Sequence, residues 1–299
     1  MTLVTWSAAT EVVDGRGARS PVAVGSAAAQ FRTQVDMVLV TATVFQGRQL
    51  VRGLPREAFR IFEDDVSRPV AYFASENVPL ELLVAIDVSS SLRKAMGQVK
   101  ADATYFVSAL PPTSDVTLVS FNDEWHTLSE PSASVAARVQ AIAPLAPYGM
   151  TSLYDALTHS FDVLGQQLAR RGVVVFTDGE DTASHTTREA VERRAETSDA
   201  VMYVIGHGQA LTCTELKELC QRLATKSGGR AFFPKRSDQM RQAFETILEE
   251  LSAQYLLAYR PRADNPDGKW HRIRVEIRDG RYDVRTRQGY RYGGLPATR

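Results

Sequence analysis

The feature that most narrows the fold is a pattern repeated between residues 80 and 252. Short, wholly apolar runs alternate with stretches whose apolar residues recur three and four apart. Leu82 to Ile86, Val173 to Phe176 and Val201 to Ile205 are the apolar runs. A strand with no polar face has to be covered on both sides, as in a parallel sheet sandwiched between helices. Met96, Val99, Ala103, Phe106 and Leu110 form one stripe along a helix, because residues at those spacings share a face. Val116 to Phe121 and Arg230 to Phe233 read as further strands. Leu153 to Leu164, Glu189 to Thr197, Glu215 to Thr225 and Gln239 to Leu251 read as helices. The alternation predicts an α/β unit over 80–252, with a doubly wound, mostly parallel sheet flanked by helices.

The flanks have a different period. Val35 to Phe45, Phe59 to Phe62 and Val70 to Phe73 are rich in β-branched and aromatic residues, with an acidic turn at Glu63-Asp64-Asp65. His271 to Arg278 and Tyr282 to Thr286 alternate polar with apolar, as half-buried strands do. Neither 34–79 nor 253–292 is large enough to bury a core alone. The two are therefore expected to pair as one discontinuous β domain. Residues 1–33 read as a disordered lead or the remnant of a signal segment, with Ala27-Ala28-Ala29 resembling a cleavage site after too short an apolar run. Residues 293–299 read as a tail.

Charge limits the partners. The 35 basic and 35 acidic residues cancel over 299 residues, but Tyr255 to Arg299 holds 11 Lys/Arg against 5 Asp/Glu. That local excess of +6 leaves −6 on residues 1–254. We read it as solvated strand faces rather than a nucleic-acid surface. No run of 18 apolar residues is present, so no transmembrane segment is expected. Cys213 and Cys220, seven apart on one helix, would lie about 10 Å from each other, too far for a disulfide, and free thiols are expected.

Ligands of open α/β sheets bind beyond the carboxyl ends of the strands, and three polar clusters fall there. Asp87-Val88-Ser89-Ser90-Ser91 follows the strand ending at Ile86. Gly149-Met150-Thr151 opens a helix that carries Asp155. Thr177-Asp178-Gly179 follows Phe176. Two carboxylates, Asp87 and Asp178, and three hydroxyls, Ser89, Ser91 and Thr151, offer hard oxygen donors. Such donors suit Mg²⁺, Mn²⁺ or Ca²⁺ rather than Zn²⁺. With several neutral donors the ion keeps much of its charge, which favours capture of an acidic side chain. Taken alone, Asp87-Ser89-Ser91 equally suits a helix cap. Asp155 is expected to serve its helix N-terminus.

Asp87-x-Ser89-x-Ser91, Thr151 and Asp178 together resemble the metal-ion-dependent adhesion site of von Willebrand factor A domains, over about 170 residues from Leu80 to Leu251. Gly149-Met150-Thr151 stands where many members have Gly-Gly-Thr. The β flanks resemble those of a bacterial subfamily of such proteins. The resemblance implies a Rossmann-like fold and a protein-binding, adhesion-type module, with an Mg²⁺-like ion (Mg²⁺ or Mn²⁺) capturing the carboxylate of a partner protein. It implies direct ligation by Ser89 and Ser91, by Thr151 when a ligand is bound, and by Asp87 and Asp178 directly or through water. It also implies a shift of the last helix and an extracytoplasmic place. Trp125, on a loop after a strand, is expected on the partner-binding rim with Glu180, Asp181 and His185; the ordinary alternatives are a core role for Trp125, solvated loop acids for Glu180 and Asp181, and a surface role for His185.

Other classes fit less well. An aspartyl phosphatase carries a second Asp two residues after the first, where this chain has Ser89, so no general acid is supplied. Gly-x-Ser-x-Gly, HExxH and glycine-rich phosphate loops are absent from the sequence. We expect no enzyme activity, with a metal-dependent hydrolase as the distant alternative. The nearer alternative is an intracellular assembly subunit that docks a remodelling ATPase.

Overall fold

The computed structural model describes residues 37–75, 78–164, 169–179, 181–261, 267–278 and 280–291. The expected lead over 1–33, the tail over 293–299 and Glu180 lie outside the described residues.

The first segment supplies β1 (Val38–Gln46), β2 (Gln49–Leu50), β3 (Phe59–Glu63), β4 (Val66–Arg68) and β5 (Tyr72–Ala74). Next come β6 (Leu80–Asp87), α1 (Met96–Ala109), β7 (Asp115–Phe121), β8 (Trp125–Ser129), α2 (Val135–Ile142), α3 (Leu153–Val163) and β9 (Arg170–Thr177). The chain continues through α4 (Arg188–Thr197), β10 (Val201–Gly206), α5 (Thr214–Ser227), β11 (Arg230–Phe232) and α6 (Ser237–Ala253). It closes with β12 (Tyr255–Tyr259), β13 (Trp270–Ile277), β14 (Asp283–Thr286) and β15 (Gly289–Arg291).

The central sheet runs β11-β10-β9-β6-β7-β8. Its pairings are parallel except that of β7 with β8, which is antiparallel. Side chains alternate across each strand, so the apolar runs feed two cores. Leu82, Val84 and Ile86 pack with Phe106 of α1 and Phe244 of α6. Leu83 and Ala85 pack with Leu157 of α3, Val191 of α4 and Leu223 of α5. Burying a Leu or Val completely contributes about 1.5–3 kcal/mol, which is why these strands have no polar face. The doubly wound architecture expected from the sequence is present. The edge strand β8 and the short helix α2 are additions to it.

Both flanks do associate. β1 pairs with β12 and β14, and β3 pairs with β13, all antiparallel. One sheet runs β14-β1-β12-β5, with β2 beside β1, and the other runs β15-β13-β3-β4. They share a core of Val38, Val40, Val44, Ile61, Tyr255, Leu257, Ile273 and Val275. One charge is buried in it. Glu63 forms an ion pair with Arg68 at 2.9 Å and accepts the Tyr290 hydroxyl at 2.6 Å and the Tyr259 hydroxyl at 3.4 Å.

Part of the C-terminal basic excess is not solvated, contrary to the expectation for strand faces. Arg287 is buried and donates to the carbonyl of Ser198 at 3.1 Å, Arg291 donates to Glu196 at 3.1 Å, and Arg285 pairs with the buried Glu250. These contacts tie the β strands to α4, α6 and the α4–β10 link. Gly228 caps α5 at φ +85, and a Cβ there would lie 2.7 Å from the carbonyl carbon of Thr286. Exposed Arg272 and Arg274 keep the expected role. Neither cysteine forms a disulfide among the described residues. Cys213 caps α5, its sulfur accepting the Leu216 amide, and burial, with Cys213 adding, pushes the Cys220 thiol up to about 12.

His271 links three segments of the β unit. Its Nδ1 lies 2.8 Å from Asp64 in the β3–β4 turn, and its Nε2 lies 3.2 Å from Asp267 before β13. Partial burial acts to lower the imidazole pKa, but the two carboxylates outweigh it and raise the value. Burial acts to raise Asp64, yet the Arg272 amide and His271 bring it below its usual range. Asp267 is lowered by the Lys269 amide and by His271. A raised His stabilises fully below its unfolded pKa of about 6.5 and ceases to as pH rises through the folded value. The lowered carboxylates stabilise above about pH 4 and cease to as pH falls through their folded values. His271→Asn is therefore expected to lower Tm most near about pH 5. The gap to wild type should close above about pH 8, as read by thermal melts across that range; a gap independent of pH would contradict the clamp.

Candidate metal centre

β6 and β9 are neighbours in parallel register, with Ile86 opposite Phe176. From β6 the chain crosses to β7 on one side, then returns to β9 on the other and continues outward to β10 and β11. The carboxyl ends of β6 and β9 thus form the point where the winding reverses, the usual crevice for a ligand in such sheets. Asp87 ends β6, and Asp178 directly follows β9.

Asp87 is fully buried. Its Oδ1 accepts the Ser89 amide at 2.8 Å, and its Oδ2 accepts the Thr177 hydroxyl at 2.8 Å. Asp178 is buried and accepts the Ser91 hydroxyl at 2.7 Å. The Ser89 and Ser91 hydroxyls lie 2.8 Å apart. Asp87, Ser89, Ser91 and Asp178 therefore form one hydrogen-bonded chain that runs from the buried strand end to the exposed Ser91. Thr151 adjoins it. A Cβ placed on Gly179 would lie 3.3 Å from the Thr151 hydroxyl and 3.4 Å from that of Ser91.

Two carboxylates this close and this buried are poorly placed for ionisation. Burial raises the pKa of Asp87, with bonds from Ser89 and Thr177 opposing. Burial raises Asp178 to about 6, with the charge of Asp87 adding and the Ser91 hydroxyl opposing. Among the described residues no Lys, Arg or His forms an ion pair with either acid. Uncompensated buried charge of this kind is offset by a nearby cation. Among the described residues no three His, Cys, Asp or Glu gather as a metal site. The donor set here is two carboxylates with hydroxyls, which fits a hard divalent ion.

Loop contacts fix the third cluster. Gly149 has φ +71, in the left-handed region that favours glycine. A Cβ there would strike Asp123, whose carboxylate accepts the Met150 amide. The Thr151 amide donates to Thr182, and the Thr151 carbonyl accepts the Thr182 and Ala183 amides. The rim residues take varied roles. Asp181 accepts the Tyr154 amide and the Ser184 hydroxyl, which holds the loop to α3. His185 carries a 99 % exposed imidazole. Trp125 is not on a loop: it begins β8, is half-buried, and meets His159 edge-on at 4.5 Å. Asp155 accepts the His185 and Thr186 amides.

Sequence reasoning missed Tyr148 and Met150 as rim residues. They are 46 % and 56 % exposed on the loop entering Thr151. The available signal was two large apolar residues in a segment with neither helix nor strand period. It also missed the support that Thr177 gives Asp87.

The family model of the von Willebrand factor type A domain matches residues 82–180. No curated protein matches the chain. Among solved structures, the chain is similar to an aerotolerance-related membrane protein from Bacteroides fragilis, at 17 % identity and TM-score 0.48, covering 57 % of this chain and 98 % of that one. It is similar to a von Willebrand factor type A protein from Catenulispora acidiphila, at 14 % identity and TM-score 0.49, covering 88 % and 74 %. It is also similar to proximal thread matrix protein 1 from the mussel byssus, solved with a zinc-occupied MIDAS motif, at 18 % identity and TM-score 0.48, covering 63 % and 49 %. The matched span contains Asp87, Ser89, Ser91, Thr151 and Asp178, and it lies in the α/β unit: residues 82–180 of this chain match a von Willebrand factor type A domain.

Proposed function

We propose that the edge formed by Asp87, Ser89, Ser91, Thr151 and Asp178 binds a divalent cation, Mg²⁺ or Mn²⁺, and that the protein uses it to hold an acidic side chain of a partner protein. The observation that carries this reading is the pair of buried carboxylates without a basic partner, joined through two serines to an exposed edge. The bound ion would supply a positive centre open to a carboxylate oxygen. Ser89 and Ser91 offer neutral oxygens, Thr151 adds a third hydroxyl from another loop, and Asp87 and Asp178 supply negative charge. Thr177 and the Ser89 amide orient Asp87.

The module binds rather than catalyses on this reading, because Ser89 stands where a general acid would be needed. Exposed Tyr148 and Met150 give the partner an apolar footing beside the ion. Asp181 and Asp155 keep the loops in place, and His185 meets the partner from solvent. We place the protein outside the cytoplasm by its resemblance. No helix of the described residues is long and apolar enough to cross a membrane.

After EDTA treatment, adding Mg²⁺ or Mn²⁺ at ten times its Kd should raise Tm by about 3–6 °C. Asp87→Ala should show no such rise, and an equal rise in both proteins, or none in wild type, would overturn the reading. Asp155→Ala should behave differently. It removes the acceptor of the His185 and Thr186 loop amides, worth about 1 kcal/mol, so Tm falls, while the increment from metal stays that of wild type. A lost increment would place Asp155 in the site itself.

A further inference from the structure

A second cavity lies behind the metal loop. It occupies about 200 Å³, and its lining includes Asp102 of α1, His207, Gly208 and Leu211 after β10, Pro234, and Met240 of α6. Gly208 separates it from the candidate metal centre, since a Cβ on Gly208 would lie 3.0 Å from Asp178 Oδ2.

Two buried groups in its wall lack partners. His207 is 6 % exposed and Asp102 7 % exposed. His207 Nε2 and Asp102 Oδ2 have no hydrogen-bond partner among the described residues, although Gln98 donates to the other Asp102 oxygen at 2.9 Å. Buried polar atoms are normally satisfied, and leaving one unpaired costs more than a made bond contributes. A fold that retains two in one cavity points to an occupant. Burial holds the His207 imidazole at about 4, so near pH 7 it is neutral and has one lone-pair nitrogen.

The start of α6 offers an anion little. Asp238 pairs with Arg236 and accepts the Gln239 amide, and the Gln239 side chain accepts the Lys235 amide at 2.8 Å. The Lys235 ammonium is left, exposed and screened by solvent. The unmet demand of the cavity is therefore for hydrogen-bond donors that carry positive charge. A coordinated metal ion is the poorer match, because among the described residues no three His, Cys, Asp or Glu gather. An organic cation needs only the two acceptors, and Leu211, Pro234 and the buried Met240 give its carbon arm an apolar wall.

We infer that this cavity binds a small organic cation with N–H donors, an amine or guanidine on a short aliphatic arm, which donates to Asp102 Oδ2 and to His207 Nε2. Gln98 orients the Asp102 carboxylate. This site does not depend on the metal-binding reading.

The test uses the full chain in EDTA. n-Butylamine and methylguanidine are titrated and followed by thermal shift and calorimetry. Tetramethylammonium, which has the charge but no N–H, and n-butanol and sodium acetate, which lack the charge, are the controls. At ten times Kd the amine or guanidine should raise Tm by about 3–6 °C, and the controls should not. A blocked tripeptide carrying Arg identifies the source: binding equal to that of methylguanidine assigns the cavity to a partner's side chain, and weaker binding assigns it to a free ligand. Asp102→Asn preserves shape and the contact with Gln98, and His207→Phe preserves a ring beside Phe176. Each should weaken binding at least about tenfold, the scale of one lost charge-assisted hydrogen bond. Asp87→Ala should bind as wild type does, which separates this cavity from the metal edge. Lys235→Ala should leave binding unchanged or tighten it, by up to about threefold. Three results would overturn the inference. Tetramethylammonium binding as tightly as the amine removes the role of the N–H donors. Weaker binding in Lys235→Ala gives the site the opposite sign. No shift with any probe leaves ordered water to satisfy Asp102 and His207, and that result is read on the wild-type chain whether or not a variant folds.

Discussion

Parallel pairing of β6 with β9 is the constraint from which the rest of the molecule follows. It buries two apolar runs on both faces and so requires helices above and below. It also delivers Asp87 and Asp178 side by side at one edge. The fold places two carboxylates where water is scarce, and burial raises the pKa of both despite the hydrogen bonds around them. The stability of the sheet and the reactivity of its edge thus share one origin. The strong core can tolerate a site that, taken alone, disfavours folding.

The β sandwich has its own electrostatic logic. The sequence divides its charge, with +6 at the C-terminal end and −6 before it. Where the two units meet, arginines of β14, β15 and their link reach acids and carbonyls of the α/β unit. Complementary charge sets the register of one unit on the other, a role charge performs better than it supplies raw affinity.

Much of the α/β unit was legible because strands covered on both faces have an unmistakable composition. The edge strand β8 was not, since Trp125-His126-Thr127-Leu128-Ser129 is half-exposed and has neither period. The helix α2 was missed for a similar reason: Val135-Ala136-Ala137-Arg138 offers little contrast, and Arg138 turns inward to the carbonyls of Ser114 and Pro131. That the flanks would meet followed from their size. Which strand meets which required coordinates. The five residues of the candidate centre stood out because each lies just past a strand or at a helix start. Trp125 was placed on a loop because its strand was unseen. The cavity of Asp102 and His207 gathers residues more than 100 positions apart, and no local pattern announces it.

The sandwich is closed by strands from both ends of the described chain, with Val38 opposite Tyr259, 259 − 38 = 221 residues away. At a synthesis rate of about 5–20 residues per second, roughly 10–45 s separate the two partners as they leave the ribosome. During that interval the α/β unit, whose last helix ends at Ala253, can complete itself, while β1 waits with only the two-residue β2 paired to its end. A nascent chain of this kind exposes an adhesive strand until its final segment arrives. Truncation near the C-terminus would therefore yield a folded α/β unit carrying an aggregation-prone arm.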